Sequence, residues 1–448
     1  MARGEKIASS KVTILSKEKQ PFPVPENWFW TDIDSINQYS GLSIDPMKQP
    51  DTTFELYSVP SSADDYPEII TGSEIGSVKQ SVIKNDVLLC KINPRINRVW
   101  KISQYTDNEL MASSEWIIIR NSVINPDYLM FCFRTQYFRE FMLSNVSGVG
   151  GSLMRAQPKF VKKYPIPIAP ITEQQRIVDR IESLFAKLDE AKEKAQAVVD
   201  GFELRKSAIL HKAFTGELTQ RWRKEHGVGL DSWKKTDIES IADVKGGKRI
   251  PKGMSLTTDN TGHPYIKAGN LKLGTVLDEG IMFVPDDVLQ YIKNYTVTAG
   301  DVYITNVGAC IGDCGIIPDK YDGANLTENA VKITNLKCNG QFLAWYISSN
   351  GVQQRIKNLI ASATLGKLSI ANIKTISVSL PTIEEQAEIV CILEELQSKE
   401  QQAKEAAEFV LTQIDAMKKA ILVRAFRGEL GTNDPAEEWA GELVKTII

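Results

Sequence analysis

Apolar residues fall at Ile177, Ile181, Leu184, Leu188, Ala191, Ala195, Val198 and Phe202, alternating steps of four and three. That spacing is a heptad seam, the mark of a helix packed on another helix. A second seam runs through Ile389, Leu393, Leu396, Ala403, Ala407, Val410, Ile414, Met417 and Ile421, broken only at Glu400. Pro170 and Pro381 punctuate the two starts, Gly216 and Gly428 the two stops. The pattern predicts two long helices whose stripes pack on each other. From Ile177 to Ile209 the first would span roughly 48 Å at ~1.5 Å per residue. Elsewhere the pattern is different. Short apolar runs at residues 87–90, 116–119, 302–304 and 330–333 are separated by Gly, Pro, Asn and Asp, which is strand and turn chemistry. One helix over 128–143 and another over 342–356 close these regions, each followed by a loop of small residues, 147–152 and 362–366.

The pattern occurs twice. Trp28 and Thr31-Asp-Ile33 recur 205 positions later as Trp233 and Thr236-Asp-Ile238. Asp86, opening one apolar run, corresponds to Asp301, opening another. The helices are more alike still: Gln174, Ile177, Glu182, Lys187, Ala195 and Lys206 each recur 212 positions on, and Ala213-Phe-Thr-Gly-Glu-Leu218 returns as Ala425-Phe-Arg-Gly-Glu-Leu430. A fixed offset of this kind marks an internal duplication. The expected architecture is α+β: two domains of mixed sheet and helices at 26–169 and 231–380, with long helices at 170–218 and 381–430. A linker at 219–230 and tails at 1–25 and 431–448 complete it.

Composition narrows the function. The 448 residues include 53 basic and 56 acidic side chains, a net charge of −3, and 42% are hydrophobic, which excludes disorder as the dominant state. Six cysteines are too few for a disulfide scaffold, no apolar signal core follows the first residues, and no run approaches the ~20 apolar residues of a membrane span. A reducing cytoplasm is the expected location. Charge is nonetheless concentrated: residues 79–101 carry six bases and one acid, and residues 245–272 again six bases and one acid. A local field of plus 5 in each half attracts phosphate whatever the total charge.

Catalytic patterns do not form. Gly246-Gly-Lys248 and Gly366-Lys367 lack the upstream glycine of a phosphate-binding loop, and three histidines make no paired metal motif. Cys310 and Cys314 resemble half a metal site without its second pair, and read as structural cysteines. Asn93-Pro94 reads as a turn, and Glu190-Ala-Lys192 as a solvated helix face. What remains is recognition chemistry. Lys91, Asn93, Arg95, Asn97 and Arg98 follow a strand, and arginine and asparagine are the side chains that bond guanine and adenine edges in pairs. Ser152 and Arg155 extend this set. In the second half Lys245, Lys248, Arg249, Lys252, Lys267, Asn270 and Lys272 suit phosphate contacts with some base reading. Thr305, Asn306 and Lys367 join them.

The Pro170-Ile-Thr-Glu-Gln-Gln-Arg-Ile-Val178 helix ending in Ala-Phe-Thr-Gly-Glu-Leu, its second copy ending in Ala-Phe-Arg-Gly-Glu-Leu, and the opening Pro25-Glu-Asn-Trp28 resemble the specificity subunits of Type I restriction-modification systems. The resemblance covers nearly the whole chain. It implies two target-recognition domains that each bind one half of a split double-stranded DNA site, held apart by two conserved helices in an antiparallel coiled coil with pseudo-twofold symmetry. It implies no catalysis and no cofactor in this chain. Two adenine-N6 methyltransferase subunits using S-adenosylmethionine, and motor and nuclease subunits using ATP and Mg, would be the partners. Phe214 with Glu217 and Phe426 with Glu429 are the expected partner contacts, because the twin helix ends suit two copies of one protein. The second half lacks the Lys-Ile-Asn-Pro-Arg string, so the halves should read different sequences. The alternative is a stand-alone coiled-coil scaffold or regulator that binds protein or RNA.

Overall fold

The computed structural model describes residues 12–147, 154–361 and 366–443. Two compact units emerge: one holds the chain up to Ala195 and again from Phe409 onward, the other holds Gln196 to Glu408. Each takes one globular domain, part of one long helix and part of the other.

In the first unit the strand Val87–Cys90 lies between Val99–Lys101 and Trp116–Ile119, antiparallel to both. It reads as an unbroken apolar run because alternate side chains enter two different cores. Val87 and Leu89 join Tyr128, Phe133 and Ile177, whereas Leu88 and Cys90 join Tyr57, Trp100 and Trp116. Beyond the second core lies a five-stranded mixed sheet in which Thr53–Tyr57 runs parallel to Glu109–Ala112. A ribbon of Phe29–Asp32 and Pro165–Ile168 then delivers the chain to Pro170 and the first long helix.

The second unit repeats this plan. Val302–Thr305 sits inside a four-stranded sheet, with Val302 and Ile304 facing Phe342 and Ile389 while Tyr303 faces Ile266 and Leu326. Lys234–Asp237 pairs with Ser377–Leu380 and leads to Pro381. The segment 254–295 carries the strands Pro264–Ile266 and Met282–Phe283, which join Asn325–Leu326 in a small three-stranded sheet.

Three expectations are corrected. Each closing helix is two helices: Pro126–Phe133 then Gln136–Ser144, and Gly340–Ser348 then Asn350–Ala361. The Thr135 hydroxyl accepts from Phe138 N at 3.2 Å and donates to Cys132 O at 2.7 Å, capping a new helix where periodicity alone shows none. The first long helix is interrupted at Gly201, between Ile171–Asp200 and Phe202–Phe214, where the Arg205 guanidinium occupies the space a side chain would need. The second, Ile383–Ala425, is continuous. Finally, the expected linker and the described parts of the expected tails, 12–25 and 431–443, make packed contacts. Residues 220–226 form a helix whose Arg223 is buried, Phe22 stacks edge-on against Trp30 at 4.9 Å, and Arg176 grips Glu437 through two bonds of 2.7 and 2.8 Å.

Helix pairing is antiparallel within each unit. In the first, Arg176 meets the carbonyl of Thr432 while Asp189 meets Lys418 at 2.6 Å. In the second, the Phe202 ring lies under Lys404 at 4.7 Å and Arg205 bonds Glu400 at 2.7 Å. Glu400, the one polar residue in the seam, is thus the carboxylate partner of the arginine opposite.

Candidate nucleic-acid interface

Both central strands run toward a tip where segments from distant parts of the chain meet. In the first unit Lys91 N donates to Glu115 O (2.9 Å), Asn93 N to Met154 O (2.9 Å) and Ala156 N to Lys91 O (2.8 Å). In the second, Asn306 N donates to Asn329 O (3.0 Å) and Leu368 N to Asn306 O (3.0 Å). These bonds make Lys91 equivalent to Asn306, Glu115 to Asn329, and Arg155 to Lys367. A further segment enters the second tip, where Gly247 N donates to Ala330 O and Lys248 N to Leu326 O. A β-carbon at Gly247 would collide with the carbonyls of Leu326 and Thr327, so only glycine brings this basic stretch so close.

The side chains divide into exposed and committed ones. Arg95 is exposed, with Nη2 3.6 Å from Met154 Sδ, and Arg98 is half-buried. Arg155 is exposed and bonds Glu115 through two contacts of 3.0 and 3.2 Å. Lys91 is half-buried, bonded to the carbonyl of Ser114, and loss of solvent lowers its pKa. Asn93 and Asn97 adopt left-handed backbone conformations, φ 47° and 53°, and Asn97 Nδ2 donates to Phe133 O at 3.0 Å. They are there to turn the chain, a conformation asparagine tolerates well, and Asn97 is removed from the base-reading set. Ser152 lies outside the described residues.

In the second tip Lys248, Arg249 and Lys367 are exposed. Lys248 lies 5.4 Å from the centre of the Tyr295 ring, and Arg249 Nε donates to Glu328 Oε1 at 2.5 Å. Their pairing raises the arginine pKa; on the carboxylate, burial pushes upward, but the bonds from Arg249, from its own backbone N–H and from the Thr327 hydroxyl, with the arginine's charge, together outweigh it and hold Glu328 below its ordinary range. Lys267 is half-buried on the segment whose Ile266 carbonyl accepts from Thr327 N, and Lys272 is close enough to Asp313 to oppose the upward push of burial on that carboxyl. Asn306 is half-buried. Lys245 is paired with Asp243 on a strand, and Lys252 is exposed on a loop.

Two expected readers are buried. Asn270 spends its amide on the carbonyls of Leu277 and Glu279 and its oxygen on Lys267 N, closing a turn. Thr305 is 1% exposed, with its hydroxyl facing the interior. Neither can reach a base. Cys314 is likewise committed, its sulfur lying against Ser348 Oγ and Ala344 O, and among the described residues no cluster of His, Cys, Asp and Glu is arranged to hold a metal.

The helix ends hold what periodicity missed. Glu173, fully buried, accepts from the Trp28 indole at 2.7 Å, from Asn433 Nδ2 at 2.9 Å and from Thr432 Oγ1 at 3.3 Å. Its counterpart Glu385 accepts from the Trp233 indole at 2.9 Å, Thr219 Oγ1 at 2.7 Å and Arg223 Nη1 at 2.6 Å. Beside them Gln174 and Gln386 make the same two bonds, accepting from Asn125 N or Asn339 N and donating to Ala169 O or Pro381 O. The signal was available: an acid, a glutamine and a tryptophan recur in both copies. Phe426 is 2% exposed and packs against Tyr128 at 5.1 Å, so its ring belongs to the core, while Phe214 is half-buried against Phe342 and Tyr346. The neighbouring Glu217 and Glu429 are exposed.

Two copies of one sheet-and-tip domain, each locked to an antiparallel helix pair by a buried carboxylate, define a duplicated recognition scaffold. The model of the Type I restriction modification DNA specificity domain matches residues 47–199 and 231–408, well over half of the chain, and the protein belongs to this family as a specificity subunit. It is 26% identical over 337 residues to the Type I restriction enzyme EcoKI specificity subunit of Escherichia coli K12, covering 70% of this chain and 69% of that one. The MjaVIII specificity subunit of Methanocaldococcus jannaschii is 22% identical over 384 residues, covering 83% and 86%. In fold the chain resembles the HsdS subunit from Thermoanaerobacter tengcongensis, with TM-score 0.69, 19% identity, and coverage of 91% and 99%. It also resembles a chain from a structural study of assembly and conformational transition of the type I R-M system, with TM-score 0.64, 20% identity, and coverage of 91% and 100%.

Proposed function

We propose that each unit reads one half of a bipartite double-stranded DNA site through its tip, and that the helix pair sets the distance between the halves. Two methyltransferase subunits would carry out adenine-N6 methylation with S-adenosylmethionine, and motor and nuclease subunits would cleave DNA using ATP and Mg, all in the cytoplasm. This chain would supply recognition and docking, with no reacting group of its own. The observation that carries the reading is the repeated tip: equivalent backbone bonds assemble it in both units, yet the cationic side chains on it differ. Family membership favours this over a stand-alone scaffold or regulator. The test is to express the chain with its methyltransferase subunit in a host lacking adenine methylation and to sequence the modified adenines. The expected motif has two specified halves around an unspecified spacer. A contiguous motif, or methylation without the chain, would contradict the proposal.

A further inference from the structure

Each tip presents one arginine whose guanidinium is clasped by a glutamate. In the first unit Arg155 donates from Nε to Glu115 Oε2 and from Nη2 to Oε1. In the second Arg249 donates from Nε to Glu328 Oε1. The pairs are lopsided: the arginine side chains are 52% and 78% exposed, their glutamates only 30% and 29%. Both carboxylates are seated in the tip itself. The Glu115 carbonyl accepts from Lys91 N, and Glu328 Oε2 accepts from the Thr327 hydroxyl at 3.1 Å, next to Asn329, whose carbonyl accepts from Asn306 N.

Exposed ion pairs add little to stability, so their recurrence at the two tips calls for another role. A carboxylate on the Nε side fixes the plane of the guanidinium. It leaves outward the edge that carries one N–H from each Nη, and two parallel donors of this kind match O6 and N7 of guanine. A freely rotating arginine would instead settle on whichever phosphate lies nearest. The forks do not occupy equivalent positions, since Arg155 is equivalent to Lys367 while Arg249 arrives on the Gly246-Gly247 segment. Each half places an arginine and glutamate pair at the same end of its sheet by a different route.

We infer that Arg155 and Arg249 are the guanine-reading, specificity-determining residues of the two half-sites, and that Glu115 and Glu328 are positioning residues that aim them. The inference rests on the DNA reading proposed above and names the reader within each half.

The test uses the full chain assembled with its methyltransferase subunits and a randomised duplex DNA pool, with sequencing of the bound fraction. Arg155→Ala and Arg155→Lys should each reduce the preference for guanine at one position of one half-site by roughly tenfold to a hundredfold. Lysine should fail like alanine, because a point charge lacks the paired donors. Arg249→Ala and Arg249→Lys should do the same in the other half. Glu115→Gln and Glu328→Gln should relax those same positions without lowering the total DNA bound, a change that a merely structural role would not produce. The untouched half-site in each variant reports that the complex is intact. Even weakening across all sequences, with recovery in Arg155→Lys, would mark a phosphate contact and overturn the assignment. Glutamate variants that leave both positions sharp would overturn the aiming role, and loss of both half-sites from one substitution would assign the pair to the scaffold. A wild-type complex that selects no bipartite motif would bring down the DNA-reading proposal itself, a separate failure.

Discussion

The helix joints and the tips of the two units have diverged to different degrees. At the joints, Trp28 with Glu173 and Trp233 with Glu385 make the same buried bond, and Gln174 and Gln386 make the same pair of backbone bonds. At the tips the backbone bonds are kept while the side chains change: Arg155 stands where Lys367 stands, and Glu115 where Asn329 stands. Both copies therefore share what holds a domain on its helices and differ in what the domain presents outward. Within the joints there is one chemical difference. Glu173 is held by neutral donors, Glu385 by a buried arginine.

The largest expected effect breaks the shared part. Phe426→Asp places a charge beside Tyr128 in the first core and should destabilise that unit by about 4 kcal/mol or more, whereas Phe214→Asp, at a half-buried site, should cost about half as much. Denaturant unfolding followed by tryptophan fluorescence separates the two, and equal, small losses would return both rings to a surface role in docking. Glu385→Ala should come next. It strands the buried Arg223, and removing one partner of a buried pair costs about 3–5 kcal/mol. Glu173→Ala leaves neutral donors without an acceptor, at about 1–3 kcal/mol. If the two substitutions prove equal, the arginine makes no difference to the joint.

A smaller effect follows from Glu55, which is fully buried in the first unit. Burial alone would raise its carboxyl pKa, but bonds from Tyr57, Tyr105 and Thr106 outweigh that and hold it below the ordinary value. A depressed folded-state pKa contributes stability that is present above the unfolded value, about 4.3, and is lost as pH falls through the folded one. Acid unfolding of the first unit should therefore be shallower in Glu55→Gln than in the wild type between pH 5 and 3, roughly the window around that value. An identical slope would show that Glu55 does not couple to folding. Smallest of all, Arg95→Ala should leave stability unchanged and lower the salt dependence of DNA binding by about one counterion, which a titration of affinity against salt reads directly.

Much of this was visible in the residue pattern, for a physical reason. Burial imposes periods, so the seams around Ile177 and Ile389 and the runs at Val87 and Val302 show themselves. Contacts between polar groups far apart in sequence impose none. The Trp28 and Glu173 bond spans 145 positions, and Arg249 with Glu328 spans 79. The break at Thr135 was hidden for a different reason, since one capping hydroxyl divides a helix without disturbing its apolar spacing. Thr305 and Asn270 looked like readers because their residue types read bases, but exposure depends on fold and not on type.

The most direct test of the division between scaffold and reader is an insertion of four residues after Ala195, followed by sequencing of methylated adenines. The insertion lengthens the helix by about 6 Å, close to two base-pair steps of ~3.4 Å, and a coiled coil absorbs the resulting stutter by local unwinding. Both half-sites should stay as they were while the unspecified spacer grows by one or two base pairs. Altered half-sites, or a spacer that does not change, would contradict the account.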